Sequence, residues 1–229
     1  MSEVSQHPEF SDVLAAGVRA QQLVPGAIAV GGTAAALYAK HRYSCDTDHL
    51  LSDLSSHFQE VRESLEKDSH WKTARVQPPV LILGNIDGVE VGFRQARRKS
   101  RIDVRIENTA AGPLTVPTLD EMIGMKAYMA YSRNATRDFV DFAALAEVAG
   151  AEATLQSLVK SGERYGHLQQ TSVDLGIAGC LTDPRPYDLS SVDLARYKGL
   201  VAQWREWASV VSACNRIGAS LAKRLIVEE

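Results

Sequence analysis

Two short motifs near the start of the chain could together hold a nucleotide and a metal ion. Gly31-Gly32-Thr33 stands between a short apolar segment and a run of small apolar residues, the order of a strand, a tight turn and a helix. Backbone amides in such a turn can approach phosphate oxygens closely, and a helix N-terminus favours an anion. Asp46 and Asp48 follow after enough chain for about three helical turns and a return to the sheet. We therefore expect the glycine turn and the acid pair to meet in space.

The spacing of the acid pair predicts a metal site. Residues two apart on a β-strand point to the same face, so Asp46 and Asp48 would present two carboxylates on one side while Thr47 points to the other. Two such charges repel each other unless a cation or a basic side chain lies between them. Hard oxygen ligands with open positions suit Mg²⁺, or Mn²⁺, bridging substrate phosphates. The alternative explanations are structural: an acid pair at a solvated strand end, and a diglycine that serves only a tight turn.

Composition excludes several classes of protein. The 229 residues, 45% hydrophobic and 23% charged, can form one large or two small domains with a core. A net charge of −3 argues against a nucleic-acid binder dominated by global charge, although a local basic patch could still attract a polyanion. Three scattered cysteines without C-x-x-C spacing predict neither disulfides nor a zinc site. Lacking a signal-like N-terminus and an apolar run of the roughly 20 residues that cross a bilayer, the sequence predicts a cytoplasmic protein without a membrane segment.

Hydrophobic periodicity predicts an N-terminal α/β half and a C-terminal helical half. We expect helices over residues 8–24, 33–42 and 54–67, and strands over residues 27–30, 47–51, 71–76, 80–86, 89–94 and 102–106. Asp87-Gly88 between two of these strands is a strong hairpin signal. A capping-box pattern beginning at Thr118 opens the helical half. We expect two domains, 1–112 and 113–229.

The densest positive segment lies between Phe93 and Arg105, with six basic residues within thirteen positions. Such a patch would give the phosphates of RNA a salt-dependent attraction that does not depend on base sequence. The alternative is a basic loop that only solvates a β-hairpin. The residues assigned to this candidate RNA contact are Arg94, Arg97, Arg98, Lys99 and Arg101.

Taken in order, the motifs resemble those of the AbiEii/AbiGii-type nucleotidyltransferases, part of the DNA polymerase β-like superfamily. The similarity covers about residues 25–147 and rests on Gly31-Gly32-Thr33, His41-Arg42, Ser44, Asp46, Asp48, Lys126 and Arg137-Asp138-Phe139-Val140-Asp141. It implies an α+β fold: a nucleotidyltransferase-like mixed sheet flanked by helices, followed by a C-terminal helical region that completes the active-site cleft. Many members of this family are toxins of bacterial toxin–antitoxin or phage-defence systems, and some add nucleotides to tRNA.

Carried over to this sequence, the resemblance gives each motif a role. The implied residues are Gly31, Gly32, Thr33 and Lys126 for the triphosphate, Asp46 and Asp48 for Mg²⁺ or Mn²⁺, and Lys126, Asp138 and Asp141 as further catalytic residues beside the acid pair. From spacing alone, Lys126 is better explained as an ordinary surface lysine. Asp138 and Asp141 share a helix face and could simply pair with Arg133 or Arg137.

One position departs from the superfamily pattern. Enzymes with a full triad carry a third acid on a later strand, and Gly92 stands where that acid is expected. Glu90 on the same strand face, or Asp103 on the next strand, could substitute for it. Without a third acid, the attacking hydroxyl must lose its proton to another group, or the domain is inactive.

The residues and the resemblance together predict a Mg²⁺-dependent nucleotidyltransferase that moves an NMP from an NTP to RNA, with tRNA as the expected acceptor. The resemblance implies a toxin-like outcome and a cognate antitoxin as protein partner. Two alternatives remain open. A catalytically degenerate, nucleotidyltransferase-fold binding module is favoured by Gly92. A small-molecule nucleotidyltransferase of the antibiotic-modifying kind is disfavoured by the basic segment.

Overall fold

The computed structural model describes residues 8–227, which divide into two compact units interleaved along the chain. The first, called here the sheet unit, is made of residues 8–34, 44–97 and 104–117. The second, the helical unit, is made of residues 35–43, 98–103 and 118–227. Two short segments, residues 35–43 and 98–103, therefore belong to the helical unit although the chain returns to the sheet unit after each of them. We call these segments the first and the second excursion. Residues 1–7, on which the expectation of no secretion signal rests, lie outside the described residues.

The sheet unit is a mixed sheet with helices and a separate two-stranded ribbon. In chain order its elements are α1 (Phe10–Leu23), β1 (Ile28–Val30), the start of α2 (Gly31–Ala39), β2 (Asp46–Leu51), α3 (Leu54–Glu66), β3 (Trp71–Gln77), β4 (Leu81–Ile86), β5 (Val89–Gln95), β6 (Val104–Thr109) and β7 (Gly112–Pro117). The sheet order is β1-β2-β5-β4-β3, in which β2 and β5 pair in parallel and the other neighbours are antiparallel. The α+β class predicted from the sequence is confirmed.

Alternation of side chains builds the core of the sheet unit. Along β2 every second residue is buried, and the apolar stripe of α1 packs into the same core cluster. The largest side chains of that cluster come from α3, β3, β4 and β5, and they are Leu54, Phe58, Leu65, Trp71, Ile82, Ile86 and Phe93. The predicted hairpin between β4 and β5 is confirmed, because Asp87 and Gly88 both adopt the positive φ of a two-residue primed turn.

The ribbon of β6 and β7 differs from the expectation. The sequence does not indicate β7, because Pro113 and Pro117 are typical of loops, yet the segment pairs with β6 in antiparallel register. Alternation of Ile102, Val104 and Ile106 with charged residues predicts one half-exposed strand. In the structure β6 begins at Val104, Ile102 before it is buried, and Val104 and Ile106 are 38% and 63% exposed. The ribbon takes its buried side chains from β7 instead. The domain division at residue 112 stays a prediction, whereas the compact sheet unit continues through β7.

The helical unit is built from α-helices and two short 3₁₀ turns. Its elements after the end of α2 are α4 (Leu119–Arg133), α5 (Thr136–Ala149), α6 (Ala151–Leu158), α7 (Ser161–Tyr165), a turn at Gly166–Leu168, α8 (Val173–Thr182), a turn at Leu194–Arg196, α9 (Ala202–Arg205) and α10 (Trp207–Val227). The predicted start of α4 is confirmed, since the Thr118 hydroxyl accepts a hydrogen bond from the Glu121 amide. None of the described helices has both the length and the apolar character needed to cross a membrane.

Candidate functional site

Strand β2 presents Asp46 and Asp48 on one face. Both are partly exposed. Thr47, which lies between them, and His49, which follows them, are buried, with exposed fractions of 1% and 0%. The predicted split of the two faces is confirmed. Burial lowers the pKa of His49 to about 4, so this imidazole is neutral near pH 7 and adds no charge beneath the acid pair.

The glycine turn lies directly beside the acid pair. In the antiparallel pairing of β1 with β2, Val30 is opposite Asp48, so Gly31, at the start of α2, follows at the level of the acids. Gly31 has a φ of 73°, a left-handed conformation that favours glycine. A Cβ built on Gly31 would be 3.8 Å from Oδ2 of Asp48. The structure therefore brings the predicted phosphate turn and the predicted metal ligands together within the sheet unit.

Two hydroxyl groups fix Asp46 in place. Thr33 Oγ1 donates to the backbone oxygen of Asp46 over 2.6 Å, which ties the first turn of α2 to the start of β2. Ser44 Oγ donates to Oδ1 of Asp46. The Thr33 hydroxyl thus serves to position the acid strand. The contact of Gly31, Gly32 and Thr33 with a triphosphate stays a prediction.

Strand β5 carries the position expected for a third acid. In the parallel register Glu90 is opposite Asp46 and Gly92 is opposite Asp48. Glu90 lies on the acid face, as expected, and is exposed. The face also carries Arg94, whose Nε donates to Oδ1 of Asp48 over 3.2 Å. Arg94 is therefore an ion-pair partner of the acid site, a role that the basic-patch prediction missed.

The acid pair fits a hard divalent cation. Two oxygen-bearing side chains share a half-exposed face, and the adjoining turn could place phosphate oxygens beside them. Mg²⁺ commonly binds through one or two carboxylates and completes its octahedron with water and substrate phosphates. Among residues 8–227, no group of three or more His, Cys, Asp or Glu residues is arranged to hold a metal ion. Asp46 and Asp48 would thus be a two-residue donor set.

Lys126, Asp138 and Asp141 form a buried ion cluster within the helical unit. Lys126 Nζ is 3.1 Å from Oδ1 of Asp138 and 2.7 Å from Oδ2 of Asp141. The three residues are exposed by no more than 6%. Lys126 is therefore not a surface lysine. The structural alternative predicted that the two acids pair with Arg133 or Arg137. Instead, both acids pair with Lys126, which lies on the preceding helix. Their roles with a nucleotide stay predictions.

The excursion after α2 supplies the rest of this cluster. His41 Nε2 and Arg42 Nε lie 2.8 Å and 2.7 Å from Oδ1 of Asp141. Burial alone would raise the pKa of Asp141, but the charges of Arg42 and Lys126 and the His41 hydrogen bond hold it well below its usual range. Asp141 is therefore ionised near pH 7. Sequence reasoning included His41 and Arg42 in the family motif but gave them no partner, because Asp141 lies about a hundred positions away.

The basic segment is only partly available to a ligand. The side chain of Arg98, predicted to contact RNA, is only 5% exposed. It donates to both carboxylate oxygens of Glu121 and lies over the Tyr165 ring, 5.9 Å from its centre. This assignment of Arg98 is wrong, because its guanidinium anchors the second excursion, residues 98–103, to α4. Arg97, Lys99 and Arg101 are exposed. Asp103, considered as a substitute third acid, belongs to the helical unit, where its amide donates to Glu121.

Solved structures share the fold at low sequence identity. A nucleotidyltransferase of H. pylori, described as putative, has a TM-score of 0.56 and 13% identity over 100% of this chain and 99% of its own. The MenT4 nucleotidyltransferase toxin of Mycobacterium tuberculosis H37Rv has a TM-score of 0.54 and 14% identity over 93% and 82%. ANT(2")-Ia in complex with adenylyl-2"-tobramycin has a TM-score of 0.51 and 14% identity over 68% and 98%.

The sequence itself matches a family model over most of its length. The model describes the nucleotidyl transferase AbiEii toxin of type IV toxin–antitoxin systems, and it matches residues 13–217. A comparison with curated proteins gave no significant match. The matched range includes the glycine turn, the acid pair and the buried ion cluster. This chain belongs to the AbiEii nucleotidyltransferase toxin family.

Proposed function

We propose that this protein transfers a nucleoside monophosphate from an NTP to an RNA acceptor, with tRNA the first candidate, in a reaction that depends on Mg²⁺ or Mn²⁺. The observation that carries the proposal is the meeting of Asp46 and Asp48 with the glycine turn at Gly31. A carboxylate pair beside a phosphate-binding turn is the minimum required to hold a metal-bound triphosphate. Membership of the AbiEii family supports nucleotidyl transfer as the reaction class.

The chain's own residues would mainly bind and orient. Asp46 and Asp48 would hold the ion, and Ser44 would fix the direction of the Asp46 carboxylate. The ion, when bound, would neutralise phosphate oxygens and help ionise the attacking hydroxyl. An acceptor oxygen would form a bond to the α-phosphorus while the bond to the β-phosphate bridging oxygen breaks, releasing pyrophosphate. Glu90, on the same sheet face, is our candidate to accept the proton of the attacking hydroxyl.

The carboxylates around Lys126 limit the roles that Lys126, Asp138 and Asp141 can take. An ammonium has three donors, and two oxygens of Asp138 and Asp141 already lie within reach of Lys126. A phosphate contact by Lys126 would therefore use its remaining N–H. We propose that the two aspartates act by orienting Lys126 and do not themselves touch the reacting atoms.

The acceptor would be drawn to the exposed part of the basic segment. Arg97, Lys99 and Arg101 lie at alternate positions within five residues, and all three are exposed. They could contact RNA phosphates. Arg98 is excluded from this role by its burial. A toxin of this family implies a cognate antitoxin, which we propose as the protein partner.

Two alternative functions make different predictions in one assay. The purified protein would be incubated with each α-labelled NTP, Mg²⁺ and either total tRNA or an aminoglycoside, beside an Asp46→Asn/Asp48→Asn variant. Label on RNA with the wild-type protein, and its loss with the variant, supports the proposal. Nucleotide binding without transfer to any acceptor contradicts it and favours a degenerate binding module, for which Gly92 gives a reason. Label on an aminoglycoside but not on RNA contradicts the RNA acceptor and favours a small-molecule transferase.

A further inference from the structure

Gly92 and Arg94 change the acid face together. Both lie on the face of β5 that continues the face of Asp46 and Asp48, because Gly92 is opposite Asp48 in the parallel register and Arg94 is two residues further on. The face therefore lacks a third carboxylate and gains a guanidinium at the next position. The two features are physically connected through the side chain of Asp48.

The missing side chain at position 92 leaves space for the carboxylate of Asp48. A Cβ built on Gly92 would be 2.4 Å from Oδ1 of Asp48 and 3.1 Å from a methyl carbon of Leu83. A non-bonded contact of 2.4 Å between carbon and oxygen is a steric clash, so the side chain of Asp48 would have to rotate away. Gly92 thus permits the conformation in which Asp48 leans across β5.

Leaning across β5 is what brings Asp48 to Arg94. Arg94 Nε donates to the same Oδ1 atom over 3.2 Å, while Oδ2 faces Gly31. The side chains of Arg94 and Asp48 are 42% and 33% exposed, so water, ions and ligands can reach the pair. Exposed pairs of this kind are weak and exchange partners readily. Arg94 could therefore leave Asp48 when a stronger anion arrives.

We propose that Arg94 is a positioning residue that makes uptake of the divalent cation conditional on the triphosphate. In the free protein Arg94 neutralises Asp48 and repels a cation that approaches alone. When a triphosphate binds, Arg94 turns to its phosphate oxygens, and Asp48 becomes available to the cation. The inference rests on the proposed function in two respects: that the acid pair is the cation site, and that a triphosphate binds beside it.

The inference predicts that one substitution shifts two affinities in opposite directions. In Arg94→Gln, the affinity for Mn²⁺ alone should rise about threefold to tenfold, since a unit charge some 6 Å from a divalent ion costs about a factor of ten in water and less in salt. The affinity for tripolyphosphate in excess Mg²⁺ should fall at least about threefold, because a phosphate partner is lost. Tripolyphosphate carries the chain common to all NTPs and avoids the choice of base.

Electron paramagnetic resonance would measure Mn²⁺ binding to the full chain, and calorimetry would measure tripolyphosphate binding. Arg75→Gln is the matched control, because Arg75 is an exposed arginine on β3, two strands away from β5. It should leave both affinities within about twofold of wild type. Arg94→Lys keeps the charge and should keep Mn²⁺ binding weak. Thermal melts of all variants would show that each is folded.

The outcomes separate this inference from the proposed function. If Arg94→Gln leaves the Mn²⁺ affinity unchanged or lowers it, while Asp48→Asn abolishes Mn²⁺ binding, the role of Arg94 is wrong and the cation site stands. If Asp48→Asn has no effect on Mn²⁺ binding, the cation site is wrong and both proposals fail. A fall of both affinities in Arg94→Gln would indicate a merely structural role and overturn the inference.

Discussion

Asp46 and Asp48 lie in surroundings opposite to those of Asp138 and Asp141, although both pairs lie within the range that the family model matches. The pair on β2 is partly exposed, and its direct polar partners include one hydroxyl group and one half-exposed guanidinium. The pair on α5 is buried, and Asp141 alone contacts a histidine, an arginine and a lysine. The first pair therefore has negative charge left for a cation, whereas the second has its charge balanced by the protein.

The comparison teaches how one residue type can serve binding in one place and stability in another. An exposed carboxylate pair keeps its water shell and can exchange it for a metal ion at little cost. A buried carboxylate has lost its water and depends on protein partners, so removing either side leaves an uncompensated charge. Substitutions at the exposed pair should therefore mainly lower activity, and substitutions at the buried pair should mainly lower stability.

Replacing the exposed pair should give the largest effect, and on activity alone. Asp46→Asn/Asp48→Asn should reduce nucleotidyl transfer at least about a thousandfold, or about 4 kcal/mol, because the ion would lose both protein ligands. The free energy of unfolding should change by less than about 1 kcal/mol, since both side chains are partly exposed. A labelled-NTP assay and urea denaturation measure the two quantities. Asp53→Asn, an exposed acid before α3, is the control; transfer by the double variant within tenfold of wild type would contradict the account.

Replacing Asp141 should give the largest loss of stability. Asp141→Asn would leave the buried Lys126 and the partly buried Arg42 against a neutral amide, which should lower the free energy of unfolding by about 3 kcal/mol or more. Urea denaturation near pH 7 measures the change. Asp193→Asn removes an exposed aspartate from the same helical unit and should change the unfolding free energy by no more than about 0.5 kcal/mol. A loss below 1 kcal/mol in Asp141→Asn would show that the cluster does not depend on this anion.

The two faces of β2 allow the comparison to be sharpened within one strand. His49, behind the acid pair, has its pKa lowered by burial to about 4, so the unfolded chain binds its proton more readily than the folded one. Its contribution to stability is complete above about pH 6.5 and should fall by about 3 kcal/mol as the pH drops towards 4.

Urea denaturation at several pH values would test this sign. The difference in unfolding free energy between wild type and His49→Leu should shrink between pH 6.5 and 4, since leucine takes up no proton. His70→Leu removes a half-exposed histidine from the same unit and is the matched control. A difference that stays constant over this range would contradict the buried, neutral histidine.

Replacing Asp138 should give the smallest effect. Its stability loss, compared with that of Asp141→Asn, shows how the two buried acids differ in importance. Oδ1 of Asp138 accepts from Lys126, while Oδ2 is buried with no hydrogen-bond partner among the described residues. An amide keeps the acceptor, so Asp138→Asn should cost about 1 to 2 kcal/mol, less than Asp141→Asn. The same urea titration decides it. Equal losses in the two variants would show that the charge is shared evenly across the cluster.

Local pattern predicted the geometry of the acid face well. Strand alternation predicts that Asp46 and Asp48 share a face and that His49 does not, and burial along β2 confirms it. The glycine turn and the hairpin at Asp87-Gly88 follow from backbone conformations that few residues other than glycine favour. These features depend on neighbours within a few positions, which the sequence displays directly.

Partners distant in the chain could not be predicted. Arg137 lies four positions before Asp141 on the same helix and is within helical reach, yet Asp141 binds Arg42, 99 positions away. Arg94 and Arg98 look alike in a basic run, but one faces Asp48 and the other is buried on Glu121. The packing of the two excursions and the register of the strands decide which cation pairs with which acid. Local sequence periodicity contains no information about these pairings.

The most direct test is a crystal structure of the protein with Mn²⁺ and a non-hydrolysable NTP, using anomalous scattering to locate the ion. The account predicts a peak about 2 Å from carboxylate oxygens of both Asp46 and Asp48, with phosphate oxygens completing the shell. The buried pair at Asp138 and Asp141 should show no peak and keep Lys126 as its partner. A bound nucleotide with the ion elsewhere, or with no ion at Asp46 and Asp48, would contradict the central claim.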